Sequence, residues 1–296
     1  MAIYSIKDLE ELSGIKAHTI RIWEKRYGII IPDRTTTNIR LYSDEDLKKI
    51  LNISILNRHG LKISSLAKLS QGELREKVIH ISQETTDAEI QTENLTIAML
   101  DLDERKFDKI LSNSIIKLGF EETITRVMHP FFEKIGLLWQ TGSINPAQEH
   151  FVSNLFRQKL LVAIDGQELA DKDYSQTFIL FLHEHELHEL GLLFYSYILR
   201  KNGFRVIYLG QSVPDSNLER IIQIKPAKYF LTSFTKGITE KDLKEYLEKL
   251  SDTFPEQVIL YAGSQSEKSD DKLRDNLVKI KSQKHFHEFI GNIRQE

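Results

Sequence analysis

The residues best equipped for chemistry lie in FLHEHELHELG, residues 181–191, where His183, His185 and His188 alternate with Glu184, Glu186 and Glu189 before Gly191. Three readings compete. His-x-His-x-x-His offers three imidazoles to a metal such as zinc. A stretch this rich in glutamate is also an ordinary solvated loop. The third reading is a grip on a larger ligand, in which one imidazole coordinates and a carboxylate two residues away holds its other nitrogen in the right tautomer. The protease spacing H-E-x-x-H is absent, because His188 follows His185 by three positions. The chain has no cysteine, so thiolate metal sites and disulfides are excluded.

The neighbouring segments decide where that loop sits. QTFILFLH is a continuous apolar strand, GLLFYSYILRKNGF an amphipathic helix closed by Gly203, and FRVIYLG a second strand. A helix over about 215–224, the strand AKYFLTSF, a helix over 239–250 and the strand QVILYAG follow. Strands alternating with helices predict an open parallel sheet covered on both faces. Ligands of such sheets sit outside the carboxyl ends of the strands, where the His/Glu loop falls. Neither a G-x-G-x-x-G turn nor a Walker A lysine is present, so nucleotide readings fail.

Upstream, residues 73–166 have little turn chemistry and much three-and-four apolar spacing. Helices are expected at 87–101, 104–117, 120–141 and 146–164, the pattern of a four-helix bundle. Trp139 and Gln140 close the third helix, and Glu149 and His150 open the fourth after Pro146, at the same end of a helical hairpin. A core tryptophan and a glutamate favouring the helix dipole would explain these residues as well as a ligand would.

Residues 1–70 hold twelve Lys/Arg against eight Asp/Glu, a net +4, leaving −7 for the remainder of a chain that totals −3. A basic head on an acidic body points to a polyanion. Ser5 caps a first helix, Gly14 ends it, and a second helix runs over about 16–26, with Ile15, Ile20 and Trp23 for packing and His18, Arg21, Lys25 and Arg26 left polar. That is a helix-turn-helix with its second helix in the major groove. Pro32 is expected to stop the second helix. Arg34 and Arg40 flank a Thr-Thr-Thr-Asn hairpin, and Tyr42 and Ser43 lead into another helix. The two arginines would reach phosphates beside the groove.

The 296 residues suffice for two or three domains, and 41% hydrophobic with 28% charged residues is ordinary globular composition. No apolar run approaches 18 residues, and MAIYSIKDLEEL has neither a basic n-region nor an apolar h-region, so a cytoplasmic address with no membrane partner is expected.

YSIKDLEELSGI, TIRIWEKRYG and the P-x-R … R-L-Y-S-x-x-D-L wing, in that order over about 3–70, resemble the MerR family of winged-helix transcription regulators. The resemblance implies double-stranded operator DNA as partner, met by His18, Thr19, Arg21, Lys25, Arg26, Arg34, Arg40 and Tyr42. Glu186-x-His188-x-x-Gly191 resembles the D/E-x-H-x-x-G motif of the cobalamin-binding module. Ser233 matches its Ser-x-Leu position, with Thr235 for Leu, and Ala262-Gly263 its Gly-Gly pair. MerR head, helical block and cobalamin module together resemble the CarH/LitR group of adenosylcobalamin-dependent light-sensing repressors, over essentially the whole chain.

That likeness implies a multidomain α plus α/β protein. Its parts are a winged helix-turn-helix over 1–72, a four-helix cap over 73–168 and a Rossmann-like, flavodoxin-like sheet domain over 174–296. It makes His188 the lower cobalt ligand. Trp139 and Glu149 would contact the upper adenosyl group, and a homo-oligomer, dimer or tetramer, would hold the operator. Gln140 stands where the best-known members carry a cobalt-capturing histidine, so either His150 substitutes or the lit state is loosely held. A cobalamin enzyme needs a separate catalytic domain, for which no stretch remains. The competing regulatory reading is a MerR-type protein whose module has lost the cofactor and senses a protein partner or other ligand.

Overall fold

The computed structural model describes residues 3–84, 87–140, 144–168, 177–235, 238–266 and 274–294, with the side chains of 82–84 and 137–140 outside that description. The chain forms two compact units, Met1–Leu155 and Phe156–Glu296.

In the first unit, α1 (Ile6–Ser13) opens with a capping box in which Ser5 and Asp8 satisfy each other's backbone N–H, and ends at Gly14 with φ 70°. Helix α2 (Ala17–Tyr27) also ends on a left-handed glycine, Gly28, φ 62°. The stop is therefore Gly28 and not the expected Pro32, because the chain has already turned away before proline is reached. Strands β1 (Asp33–Arg34) and β2 (Arg40–Leu41) pair antiparallel as a short wing, with Asn38 in a positive-φ turn. A second capping box, Ser43 with Asp46, starts α3 (Asp44–Arg58). Two helices without a sequence expectation follow, α4 (Ile63–Leu66) and α5 (Gln71–Glu84).

Helix α6 (Ala88–Leu100) is buried along its length from Ile90 onward, as the central helix of a unit is. Its polar side chains bond locally: Thr92 and Thr96 hydroxyls donate to the carbonyls of Ala88 and Thr92, and Asn94 to that of Ile90. Helix α7 (Glu104–Leu118) packs on it. The next helical run comprises α8 (Phe120–Thr123), a π turn (Ile124–Met128) and α9 (His129–Gln140). Pro130 has no N–H to return to the preceding turn, and the wide π turn absorbs that mismatch. Helix α10 (Pro146–Asp165) crosses the boundary between the units.

Two charge clusters fasten α3 to α6. Lys48 Nζ lies 2.5 Å from Asp101 Oδ1, while Arg58 pairs with Glu89 at 2.6 Å and with Glu93. Glu93 is 1% exposed, and burial pushes its carboxyl up to about 8, against the lowering pull of Arg58 and Lys134.

The second unit runs β3 (Thr177–His183), α11 (Leu190–Lys201), β4 (Arg205–Val213), α12 (Asp215–Ile224), β5 (Tyr229–Ser233), α13 (Glu240–Thr253), β6 (Val258–Ala262), β7 (Leu277–Lys279) and α14 (Gln283–Ile293). The sheet order is β4-β3-β5-β6-β7 and every pairing is parallel. β3 is buried on both faces, which explains its unbroken apolar run. β7 and α14 had no expectation behind them, since a three-residue, half-buried edge strand carries no periodic signal. Among the described residues no helix is long and apolar enough to cross a membrane.

Candidate cofactor site and DNA-facing surface

The strand order reverses between β3 and β5, so their carboxyl ends diverge and leave a crevice. One residue ties the two loops at that crevice together. Glu186 is 3% exposed. Its Oε1 accepts the backbone N–H of His188 at 2.9 Å and the imidazole Nδ1–H of His188 at 2.6 Å, while its Oε2 accepts the N–H of Thr235 at 3.0 Å. An ionised carboxylate only accepts, so His188 donates from Nδ1, and in the neutral imidazole that leaves the lone pair on Nε2. The His188 side chain is 48% exposed. A buried carboxylate therefore presents one oriented, half-exposed imidazole with its Nε2 away from the carboxylate.

The backbone around it is pinned from β4. Ser212 donates its N–H to Glu186 O at 3.2 Å and its side chain accepts from the N–H of His185 at 3.1 Å; Gln211 Nε2 donates to Leu187 O at 2.7 Å. His185 and Ser212 both take positive φ, 71° and 50°, to allow this stitching. At the far side, Ser233 and Ala262 are register partners at the ends of β5 and β6, both buried. Gly263, φ 98°, passes so close to Phe234 that a Cβ would lie 2.3 Å from its carbonyl oxygen, so only glycine fits. Gly191, in the first turn of α11, has no atom within 4 Å of a would-be Cβ. No packing demand inside the unit explains its lack of a side chain, whereas close approach of a flat ligand beside His188 would.

Glu189 forms a second buried cluster that the sequence did not signal. Arg157 Nε donates to its Oε1 at 2.6 Å and the Tyr208 hydroxyl to its Oε2 at 2.8 Å. Burial, then the bond to Glu189, raises the Tyr208 phenol well above its usual range, so it remains a donor.

The three imidazoles do not converge. His183 stacks on Phe234, ring centroids 5.2 Å apart, and its Nδ1 lies 2.8 Å from Glu184 O. Among the described residues no group of three His, Asp or Glu could hold a metal ion, which removes the zinc reading. The donor set fits a metal that brings its own macrocyclic ligands and needs one imidazole more.

Glu149 and His150 lie in the first turn of α10, His150 Nδ1 2.8 Å from Glu149 Oε2, with the Ser153 hydroxyl donating to Glu149 Oε1 at 2.5 Å. His150 is 73% exposed. Trp139 and Gln140 end α9, and their side chains lie outside the described residues.

On α2, Ile20 and Trp23 are buried while His18, Arg21, Lys25 and Arg26 face solvent, with Thr19 partly exposed. Arg34 is exposed on the wing and its guanidinium donates to Asn38 Oδ1 at 2.7 Å. Arg40 instead turns inward to Glu24, at 3.1 Å. Tyr42, expected to face DNA, is 1% exposed: its backbone pairs with Tyr4. In this conformation Tyr42 supports the wing from inside and offers no surface, because pairing with Tyr4 turns its ring into the core.

Residues 4–73 match the MerR HTH family regulatory protein model and residues 91–163 the B12 binding domain. The chain is a transcriptional regulator built from a MerR helix-turn-helix and a B12-binding domain. It is 27% identical to the HTH-type transcriptional repressor CarH of Myxococcus xanthus over 93% of each chain. It is 25% identical to the repressor CarA of the same organism, over 82% of this chain and 80% of that one. In fold it is similar to the Methanosarcina barkeri monomethylamine corrinoid protein, TM-score 0.50 at 15% identity, over 68% of this chain and 96% of that one.

Proposed function

We propose that the protein is a repressor that uses adenosylcobalamin as a light-sensitive cofactor and holds operator DNA as a homo-oligomer, not an enzyme. The observation that carries this is the His188 arrangement: Nδ1 held by buried Glu186, the ring half exposed, at the switch point of the sheet. His188 would ligate the cobalt of the bound cofactor, and Glu186 would hold its ring orientation. Ser233, Ala262, Gly263 and Gly191 line the path of the nucleotide tail and the macrocycle edge. By the family resemblance, Trp139, Gln140, Glu149 and His150 are assigned to the cofactor's adenosyl side. The bound cofactor supplies a cobalt–carbon bond that visible light breaks. His18, Thr19, Arg21, Lys25, Arg26 and Arg34 meet the duplex, while Arg40 and Tyr42 hold the wing in shape. Residues 1–72, 73–168 and 174–296 act as DNA-binding, cap and cobalamin-binding domains. Coupling is by linkage: a ligand that favours one assembly state changes DNA affinity through that state.

The test is the visible absorption spectrum and gel-filtration profile of the purified protein given adenosylcobalamin in darkness, repeated after illumination. A protein-bound corrinoid spectrum with a change of size on illumination is expected. Binding without a size change sinks the light response, and no binding sinks the cofactor reading. A lit-state bis-imidazole spectrum lost in His150→Ala assigns capture to His150; its persistence in that variant removes the assignment.

A further inference from the structure

Helix α2 (Ala17–Tyr27) carries one residue that neither folding nor phosphate binding explains. Ile22 is 52% exposed. Residues 18, 21, 22, 25 and 26 follow the i, i+3, i+4, i+7, i+8 spacing that places them on one helical stripe. His18, Arg21, Lys25 and Arg26 are exposed there, while Ile20 and Trp23 occupy the opposite, buried face. The helix has a single carboxylate, Glu24, and it is turned into the wing, bound by Arg40 at 3.1 Å and approached by the Tyr42 hydroxyl at 3.5 Å. The stripe is therefore cationic with no anion on it, and Ile22 is its one large apolar side chain.

Such a surface is complementary to a duplex in two ways. The cations match phosphates, which position a protein without reading sequence. A β-branched hydrocarbon set among them finds only one apolar feature in the major groove, the C5-methyl of thymine. Polar base edges would leave Ile22 against unsatisfied donors and acceptors, so it discriminates against them as well. We infer that Ile22 is a specificity-determining residue that reads a thymine methyl in the operator half-site. This rests on α2 being the helix that enters the major groove.

The experiment selects sequences from a randomised duplex pool with the full-length protein and with Ile22→Ala, both loaded with adenosylcobalamin in darkness. Because the side chain is exposed, the variant keeps its fold, which its circular dichroism and melting temperature check. The two selected motifs should differ at one T·A position per half-site and agree elsewhere. At that position, replacing thymine by uracil removes only the methyl. Burial of one such group corresponds to about a fourfold change in affinity. The wild type should therefore bind the uracil duplex about threefold to fivefold more weakly, while Ile22→Ala should bind both duplexes equally. Identical motifs for the two proteins overturn the inference, as does a uracil penalty that persists in the variant. If the wild type selects no sequence at all, the DNA-reading role of α2 falls too, an outcome distinct from the loss of Ile22 alone.

Discussion

Glu93 and Glu186 are both carboxylates almost wholly removed from water, yet they meet that condition in opposite ways. Glu93, on α6, is closed in by the Arg58 guanidinium from α3. Glu186 uses a different set of partners. Its oxygens take two backbone N–H groups and the imidazole of His188, which is half exposed. The first arrangement ends in the protein: the carboxyl meets a guanidinium and two helices are fastened. The second ends at the surface, where the orientation of the ring, with Nε2 turned away from the carboxylate, is what the buried group achieves. A buried carboxylate is thus ambiguous evidence of function, and the exposure of its partner resolves the ambiguity. A structural anion has a partner that is consumed by the pairing, whereas a functional one leaves its partner with a valence to spare.

The contrast can be broken by experiment, beginning where the effect is largest. Measured above about pH 8, where Glu93 is ionised, Arg58→Ala leaves it uncompensated and is expected to destabilise the protein by about 3–5 kcal/mol, the cost of removing one member of a buried pair. Urea unfolding of the full chain measures it, and a loss below about 1 kcal/mol would mean that Glu93 is satisfied elsewhere. His188→Ala should do the reverse: stability within about 0.5 kcal/mol of wild type, and corrinoid affinity reduced beyond the roughly 10–100-fold that loss of an outer-sphere partner costs. A titration followed in the visible range reads this directly, and unchanged affinity would end the role of His188.

Glu186→Ala sits between them. It orphans the N–H groups of His188 and Thr235, so about 1–3 kcal/mol of stability should be lost together with roughly 10–100-fold in cofactor affinity. Loss of stability alone would place Glu186 with Glu93 as a purely structural anion. The smallest effect is in the pH dependence. Burial raises Glu93 to about 8, above its ordinary value, so the folded state binds that proton more tightly than the unfolded state does. Its contribution is then fully present at acid pH and falls away as pH rises through the range up to about 8. Stability measured from pH 5 to 8 should slope downward from this group, and Glu93→Gln should flatten that component. An unchanged profile in the variant would show that Arg58 keeps the carboxylate ionised throughout.

Much of this molecule could be read locally. Helices expected at 87–101, 104–117 and 146–164 were found as Ala88–Leu100, Glu104–Leu118 and Pro146–Asp165, because caps and apolar spacing act within a few residues. The expected strands likewise appear as β3, β4, β5 and β6. What escaped had weak local signals: α5 begins within SQGEL, whose Ser70 and Gly72 read as turn residues, β7 has three residues, and the π turn before Pro130 answers a packing constraint. In the site, Glu186, His188 and Gly191 were visible as a motif of fixed spacing. Arg157 and Tyr208 were not, because they reach Glu189 across 32 and 19 residues respectively.

Residue order alone therefore settled which groups are available: a carboxylate two positions before an imidazole, a glycine three beyond it, and a basic helix after a tight turn. These depend on bond geometry and near-neighbour hydrogen bonds, which any short stretch of chain carries with it. Only the tertiary structure decided that β3 and β5 adjoin at the point where strand order reverses, bringing the Thr235 N–H to Glu186 across 49 residues. It likewise decided that Tyr42 is buried and Ile22 exposed. Burial depends on what other parts of the chain are packed above a residue, and spacing along the chain does not contain that.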